Sequence, residues 1–380
     1  MEHVPARQAG QARWPDWVAE PLVTRWANQG ISGLWPHQAE AAELAHGGRN
    51  VIIATGTASG KSLAYQVPAI TSVLDGGTVL YLTPTKALAA DQLRVLNGLD
   101  LPGLRAATFD GDTSYDERDW VRRHANYILT NPDMLHRSLL PRHPRWSAFW
   151  RRLSMVVIDE CHGYRGVFGS HVAQILRRLR RICARYGSRP VFFLSSATAS
   201  EPRAFATRLT GLQMAEVTTD ASPGCDHLRP LGAAPDRATG RERAPVRRPA
   251  TAETADLLAD LVLADVRTLA FVRSRRAAES VSLTTRARLS DLAADAGLPA
   301  DLPEKVSAYR AGYLAEDRRK LEKALRSGEC LGLATTSALE LGVDVSGLDA
   351  VLIAGWPGTR ASLWQQAGRA AGPGRTPWRC

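Results

Sequence analysis

The stretch NVIIATGTASGKSLAYQVPAITSVL, residues 50–74, reads as an apolar β-strand, a loop of small residues and a helix in immediate succession. A strand without polar alternation is buried on both faces, which is the habit of parallel sheets covered by helices. The loop ends in Gly60-Lys61-Ser62 at the first turn of the helix, where backbone N–H groups and the helix N-terminus converge on an anion. In that setting Gly60 allows close backbone approach, the Lys61 ammonium reaches β- and γ-phosphates, and the Ser62 hydroxyl ligates Mg²⁺. The pattern GxxxxGK[ST] is not met in full, because Thr55 stands at its first position and Ala58 replaces a commonly seen glycine. The competing reading is an ordinary glycine turn that caps a helix; the strand before it and the carboxylates downstream weigh against that.

Outward from this unit the same rhythm continues. TVLYLTP, RAATFD, ANYILTN, SMVVIDE and PVFFLSS each precede a helix-like segment. Residues 221–250 break the alternation with five prolines and six arginines and read as a basic linker. Beyond it RTLAFVR, CLGLATT and DAVLIAG are strands, and ETADLLADLVLAD and AEDRRKLEKALRSGE are helices. The expected organisation is an N-terminal extension at 1–30, an α/β domain at 31–220, the linker at 221–250 and a second α/β domain at 251–380.

Composition bounds the function. The 380 residues carry 48 Lys plus Arg against 38 Asp plus Glu, a balance that favours a polyanionic partner such as nucleic acid. The five cysteines form no CxxC pair, so neither a disulfide framework nor a closed zinc site is indicated. No run approaches the roughly 18–20 apolar residues of a membrane span, and a cytoplasmic location with no membrane partner is expected. The helix-like ILRRLRRICAR, residues 175–185, reads as a basic solvated face over Ile175, Leu176, Leu179 and Ile182 and is not assigned to nucleic acid.

MVVIDECH, residues 155–162, is an apolar strand ending in paired carboxylates, at the edge of the sheet where open α/β folds bind ligands. Asp159 is expected to hold Mg²⁺, Glu160 to orient or deprotonate the attacking water, and His162 to sense the nucleotide. Cys161, with no second cysteine nearby, reads as a small core residue.

With these residues in place the sequence resembles superfamily 2 helicases of the DExH (DEAD/DEAH box) type, and within them the YprA/MrfA-like repair branch related to the RecQ4-like group. The resemblance spans about residues 31–370 and implies two tandem RecA-like parallel-sheet domains using ATP and Mg²⁺. It places Gln38 of LWPHQAEA on the adenine edge; the lesser competing reading is a polar residue starting a helix. Thr57 and Ser59 join Gly60, Lys61 and Ser62 around the phosphates. Thr85 and Lys86 of PTKALAADQ, Thr130 and Asn131 of TNPDMLH, and Arg273 and Thr335 in the second half are the implied grips on the nucleic-acid backbone. Ser196 and Thr198 of SSAT are the implied link between the two sites. Gly342 and Asp344 of ATTSALELGVDV and Arg369 of WQQAGRA are what the second domain brings to ATP.

The implied activity is ATP-driven 3′→5′ translocation or unwinding on single-stranded DNA in repair, with largely sequence-independent, salt-sensitive binding. An RNA helicase and a nucleotide-binding remnant without productive turnover are the alternatives. The last motif of relatives, QxxGRxGR, is kept through Arg369, but Ala371 and Gly372 occupy its second Gly and Arg. The expectation is therefore a second domain truncated at its C-terminal end, with a frameshift creating the terminus AGPGRTPWRC and part of the linker.

Overall fold

The computed structural model describes residues 2–3, 10–56, 59–197, 201–221, 227–228, 248–310, 312–340 and 348–370. The chain divides into two compact units, Arg7–Pro223 and a second made of Met1–Ala6 with Gly224–Cys380. Most of the expected linker, 222–226 and 229–247, lies outside the described residues, as do Thr57, Thr198, Gly342, Asp344, Ala371 and Gly372.

The first unit is built on seven parallel strands: β1 (Val51–Ala54), β2 (Thr78–Leu82), β3 (Ala106–Thr108), β4 (Tyr127–Thr130), β5 (Leu153–Ile158), β6 (Val191–Ser196) and β7 (Ala215–Val217). They lie side by side in the order β3-β4-β2-β5-β6-β1-β7. The apolar runs that suggested two-sided burial are buried along nearly their whole length. Alternate residues of each strand feed two cores. On one face Val51, Ile53, Tyr81, Val157 and Phe193 pack under α1 (Glu20–Asn28), α2 (Pro36–His46), α3 (Lys61–Leu74) and α4 (Lys86–Gly98). On the other, Ile52, Leu82, Ile158 and Leu194 pack under α5 (Tyr115–His124), α6 (Gly166–Arg185), α7 (Pro202–Thr210) and the segment 135–150.

Residues 10–30 are part of this core. Leu22 and Trp26 of α1 are fully buried, Trp14 stacks on Trp26 at 5.2 Å, and Ala12 bridges to Leu34. The arginine-rich α6 inserts Ile175, Leu176, Leu179 and Cys183, with Ile182 half-buried at the margin. Two of its arginines close the end of α7: Arg177 donates to the carbonyls of Arg208 and Leu209, and Arg180 to those of Thr210 and Gly211, at 3.1–3.3 Å. Cations at a helix C-terminus complement its orphan carbonyls and its dipole.

The second unit holds a four-stranded parallel sheet of β8 (Thr268–Phe271), β9 (Val306–Tyr309), β10 (Gly332–Thr335) and β11 (Ala350–Ile353), in the order β9-β10-β8-β11. Its helices are α8 (Ala250–Leu263), α9 (Arg275–Ala296), α10 (Ala315–Ser327) and α11 (Arg360–Ala367). The two-layered covering recurs, with Ala270 and Ala334 facing one core and Leu269, Phe271 and Leu333 the other. Two tandem parallel-sheet α/β units are thus what the alternation of apolar strands and helices anticipated. No helix among the described residues is long and apolar enough to cross a membrane.

Because Trp26 is fully enclosed, Trp26→Ala is expected to lower stability by about 3–5 kcal/mol. The shift of the urea midpoint measures it, and an unchanged midpoint would show that the segment is not part of the core.

Candidate functional site

Strand order creates the site. β6 lies between β1 and β5, so the loop after β1, the carboxylates after β5 and the serines ending β6 meet at three adjacent strand ends. This is where chain connectivity leaves a crevice in an open α/β sheet.

The loop is shaped by Gly60. Its φ of +69° is left-handed, and a Cβ there would lie 2.4 Å from the Gln38 side-chain nitrogen. The left-handed φ favours glycine, and a side chain would also displace the Gln38 amide. Gln38 is the reason for the crowding: its Nε2 donates to the Gly60 carbonyl at 2.9 Å, while its Oε1 accepts from the Trp35 amide at 2.8 Å at the start of α2. The same side chain therefore starts a helix and fixes the loop. Ser59 is buried and ties the loop internally, its hydroxyl 2.6 Å from that of Thr55 and donating to the Gly56 carbonyl at 2.8 Å. The Lys61 ammonium donates to the carbonyls of Gly56 at 2.6 Å and Thr55 at 3.2 Å. Burial pulls its titration below the usual amine range, and the carboxylates of Glu160, Asp159 and Asp220 pull it back. Asp220 accepts from the Gly56 amide at 3.0 Å.

His37 holds the other side of the loop. Its Nε2 meets the Ser59 carbonyl at 2.9 Å and its Nδ1 accepts from the Ala221 amide at 3.2 Å, a pair satisfied only by the neutral ring with the proton on Nε2. Burial lowers its pKa accordingly.

Asp159 is 6% exposed and its two oxygens take four donors. Tyr81 donates to Oδ2 at 2.6 Å and Tyr65 at 3.0 Å. Ser195 and the Glu160 amide, the latter at 3.0 Å, donate to Oδ1. Burial first, and then the Asp159 charge, raise the pKa of both phenols, which stay neutral donors. Glu160 has a φ of 49°, left-handed without being glycine, a conformation that costs about 1–3 kcal/mol and clusters at functional positions. Its Oε2 lies 3.1 Å from His162 Nδ1. That same Nδ1 faces the Ala197 amide at 3.3 Å. Burial, reinforced by Arg165 and Lys61, pushes the His162 pKa down to about 4, so the ring is neutral; with Nδ1 accepting from the Ala197 amide, its proton sits on Nε2. Cys161 is fully buried in the apolar core, with its thiol pKa raised by desolvation, as a packing residue should be.

The oxygens of Ser62 and Asp159 are the hard donors Mg²⁺ prefers. Ser62 fits: its hydroxyl lies at the first turn of α3 and accepts from Gln92 at 3.3 Å. Asp159 has its lone-pair sites engaged by four protein donors, one of which must give way for an ion or its water to reach the carboxylate. Among the described residues no cluster of three His, Cys, Asp or Glu side chains could hold a metal by itself.

Thr85, Lys86, Thr130 and Asn131 come together in one shallow depression with Thr83, Ala89, Asp110 and Leu129, at the ends of the adjacent strands β2 and β4. Thr85 caps α4 through the Leu88 amide at 3.3 Å, and Asn131 caps the short turn Pro132–Met134 through the Met134 amide at 2.9 Å. Two helical starts thus border the depression. Thr130 donates to the Phe109 carbonyl at 2.5 Å. Lys86 pairs with Asp112 at 2.7 Å on the surface.

In the second unit Arg273 is exposed just past β8. Thr335 is fully buried and donates to the Thr336 carbonyl, so its hydroxyl is turned away from the surface. Arg369 donates to the Glu340 carbonyl at 2.7 Å. The buried Glu340 carboxylate also accepts from Ser362 at 2.6 Å and Gln366 at 3.0 Å, anchoring α11.

A profile of the DEAD/DEAH box helicases matches residues 35–205, and one of the helicase conserved C-terminal domain matches 253–374. The chain belongs to the DEAD/DEAH box helicase family. It is 39% identical over 383 residues to the uncharacterized ATP-dependent helicase YprA of Bacillus subtilis, covering 96% of this chain and 48% of YprA. It is 42% identical over 348 residues to the ATP-dependent helicase HRQ1 of Saccharomyces cerevisiae, covering 89% of this chain and 32% of HRQ1. These relatives place it in the YprA/MrfA-like branch. The crystal structure of the DUF1998 helicase MrfA bound to DNA and AMPPNP superposes with a TM-score of 0.86 at 37% identity, covering 97% of this chain and 51% of that one. The chain thus spans about half or less of the length of these relatives.

For this helicase fold, the residues that sequence reasoning missed are Tyr65, Tyr81 and Ser195 around Asp159, and Glu340 under α11. Tyr81→Phe is expected to cost about 1.5–3 kcal/mol, the value of a hydrogen bond to a buried charge, read from the urea midpoint.

His162 adds a pH term. Its folded pKa of about 4 lies below its ordinary 6.5, so the unfolded chain binds the proton first as pH falls. The stability is complete above about pH 6.5 and declines toward pH 4, by on the order of 1–2 kcal/mol at pH 5. Compared with the wild type, His162→Gln should lose less stability between pH 6.5 and pH 5; equal losses would remove His162 as the cause.

Proposed function

We propose that this chain is the ATP-hydrolysing motor core of a DNA-repair helicase that tracks 3′→5′ along single-stranded DNA. The observation that carries the reading is the meeting of two sets of residues on neighbouring strand ends. The Gly60 loop, Lys61, Asp159 and Glu160 form one set, and Thr85, Lys86, Thr130 and Asn131 form the other. DNA is taken as the track because MrfA, the 37%-identical neighbour, was crystallised with it. In this reading an ATP-binding domain at 31–220, with residues 10–30 packed into it, is joined through 221–250 to a C-terminal domain at 251–380, in a cytoplasmic enzyme.

Each residue then has a physical task. Lys61 leaves the loop carbonyls for the β- and γ-phosphates, and the amides at the start of α3 take the remaining charge. Ser59, Gly60 and Gln38 shape the loop, Thr57 joins them around the phosphates, and Gln38 reads the adenine edge. Ser62 and Asp159 would hold Mg²⁺, which would supply charge neutralisation at the phosphates. Glu160 orients and deprotonates water from its strained position, with the neutral His162 beside it. Ser196 and Thr198 relay between the sites beside Ser195, which grips Asp159 directly. Gly342, Asp344 and Arg369 are the second unit's contributions to ATP, and Arg273 and Thr335 its contributions to the strand, with Thr335 acting through backbone placement.

Glu160→Gln is expected to lower DNA-stimulated ATP turnover by about 10²–10⁴-fold while leaving nucleotide binding within a few-fold of wild type. Lys61→Ala should lose the binding itself. Turnover in Glu160→Gln equal to wild type would overturn the assignment, and stimulation by single-stranded RNA but not DNA would overturn the track.

A further inference from the structure

Between Met134 and Ser200 the chain holds twelve arginines, no lysine and only two carboxylates, Asp159 and Glu160. This stretch alone accounts for the chain's formal excess of +10. Both carboxylates are committed to the strand-end site, and among the described residues none of the twelve arginines forms an ion pair with a carboxylate. Arginines left without counter-charge on a surface repel one another, an arrangement that favours a polyanion arriving from outside.

The geometry gathers half of them. Arg178, Arg181 and Arg185 recur at i, i+3 and i+7 on the outer side of α6, a stripe about 10 Å long. Arg178 bonds to His136 Nδ1 at 3.3 Å, and His143 Nδ1 lies 2.8 Å from the Tyr186 hydroxyl. These two contacts lay the segment 136–145 along the stripe, adding the exposed Arg137, Arg142 and Arg145. The segment begins five residues after Asn131, so the patch continues from one of the strand-end loops proposed to grip DNA. It lies on the sheet face of α6 and the 135–150 segment, opposite α3 and α4.

We infer that this arginine face binds the phosphate backbone of double-stranded DNA adjoining the single strand held at Thr85, Lys86, Thr130 and Asn131. Single-strand sites pair basic side chains with aromatic platforms for the bases. Here the large exposed apolar side chains of the stretch are Val167 and Phe168 at the start of α6, ten or more residues before Arg178. The aromatic rings on the face itself, His136, His143 and Tyr186, are engaged with Arg178 or with each other, so the face offers cations for phosphates in preference to platforms for unstacked bases. The choice of DNA rests on the function proposed above; the surface itself does not depend on ATP hydrolysis.

The test is a variant carrying Arg142→Gln, Arg145→Gln, Arg181→Gln and Arg185→Gln. None of these four side chains makes a hydrogen bond or ion pair in the fold, and an unchanged melting temperature verifies that it is intact. A control with Arg13→Gln, Arg49→Gln, Lys320→Gln and Lys323→Gln removes the same charge elsewhere. Binding to a duplex with a single-stranded tail, and to the single strand alone, is titrated across salt. The arginine-face variant should reduce the slope of log affinity against log salt by about 3–4 for the tailed duplex, with single-strand affinity held within twofold. A duplex slope reduced no more than in the control, or equal losses on duplex and single strand, would overturn the inference. If the wild type shows no DNA-stimulated hydrolysis while the variant still loses its duplex slope, the motor reading fails and the surface stands.

Discussion

A carboxylate that is taken out of water must be given its hydrogen bonds back, and Asp159 is where this protein meets that demand. Two phenols, one serine hydroxyl and one amide surround it, contributed by α3, β2, β6 and the turn that follows β5. An uncompensated charge in that position would cost several kcal/mol, so the four elements are obliged to arrive together. Their meeting sets the distance between the loop that begins α3 and the strained Glu160. The catalytic geometry is in this sense a by-product of satisfying one buried ion.

Much of this was readable from residue order, and the limits of that reading are physical. Two-sided burial of β1, β2, β4, β5 and β6 follows from their unbroken apolar runs, and the loop and the carboxylates follow from what ends those strands. The partners of Asp159 were readable in principle too. Side chains alternate across a strand, so Met155, Val157 and Asp159 share a face, as do Tyr81 in β2 and Phe193 and Ser195 in β6. Motif spelling drew attention to Ser196, which points to the other side and donates to the Ala197 carbonyl. β7 and β9 are short and carry polar residues at Glu216 and Ser307, so periodicity alone does not reveal them. Thr335 and Thr336 are adjacent and chemically alike; only the pleat of β10 decides which is enclosed.

Arginine in α6 shows how one residue type serves two ends. Arg177 and Arg180 are consumed in closing α7, a structural task that no composition count reveals. Arg181 and Arg185 of the same helix have no such task, and Arg178 bonds to His136 alone. Segregating the two roles by helical phase lets the core-facing and outward-facing sides of a single element evolve under separate constraints.

The loop at Gly60 is closed upon itself, because Lys61 is bonded to Thr55 and Gly56 and Ser59 is bonded across the bend. An incoming anion therefore competes against bonds already made. A lone phosphate offers Lys61 little more than the carbonyls do, whereas a chain of phosphates that also engages the helix amides offers several contacts at once. Self-closure turns a general anion trap into a threshold device, silent toward the abundant small anions of its surroundings and responsive to a polyphosphate.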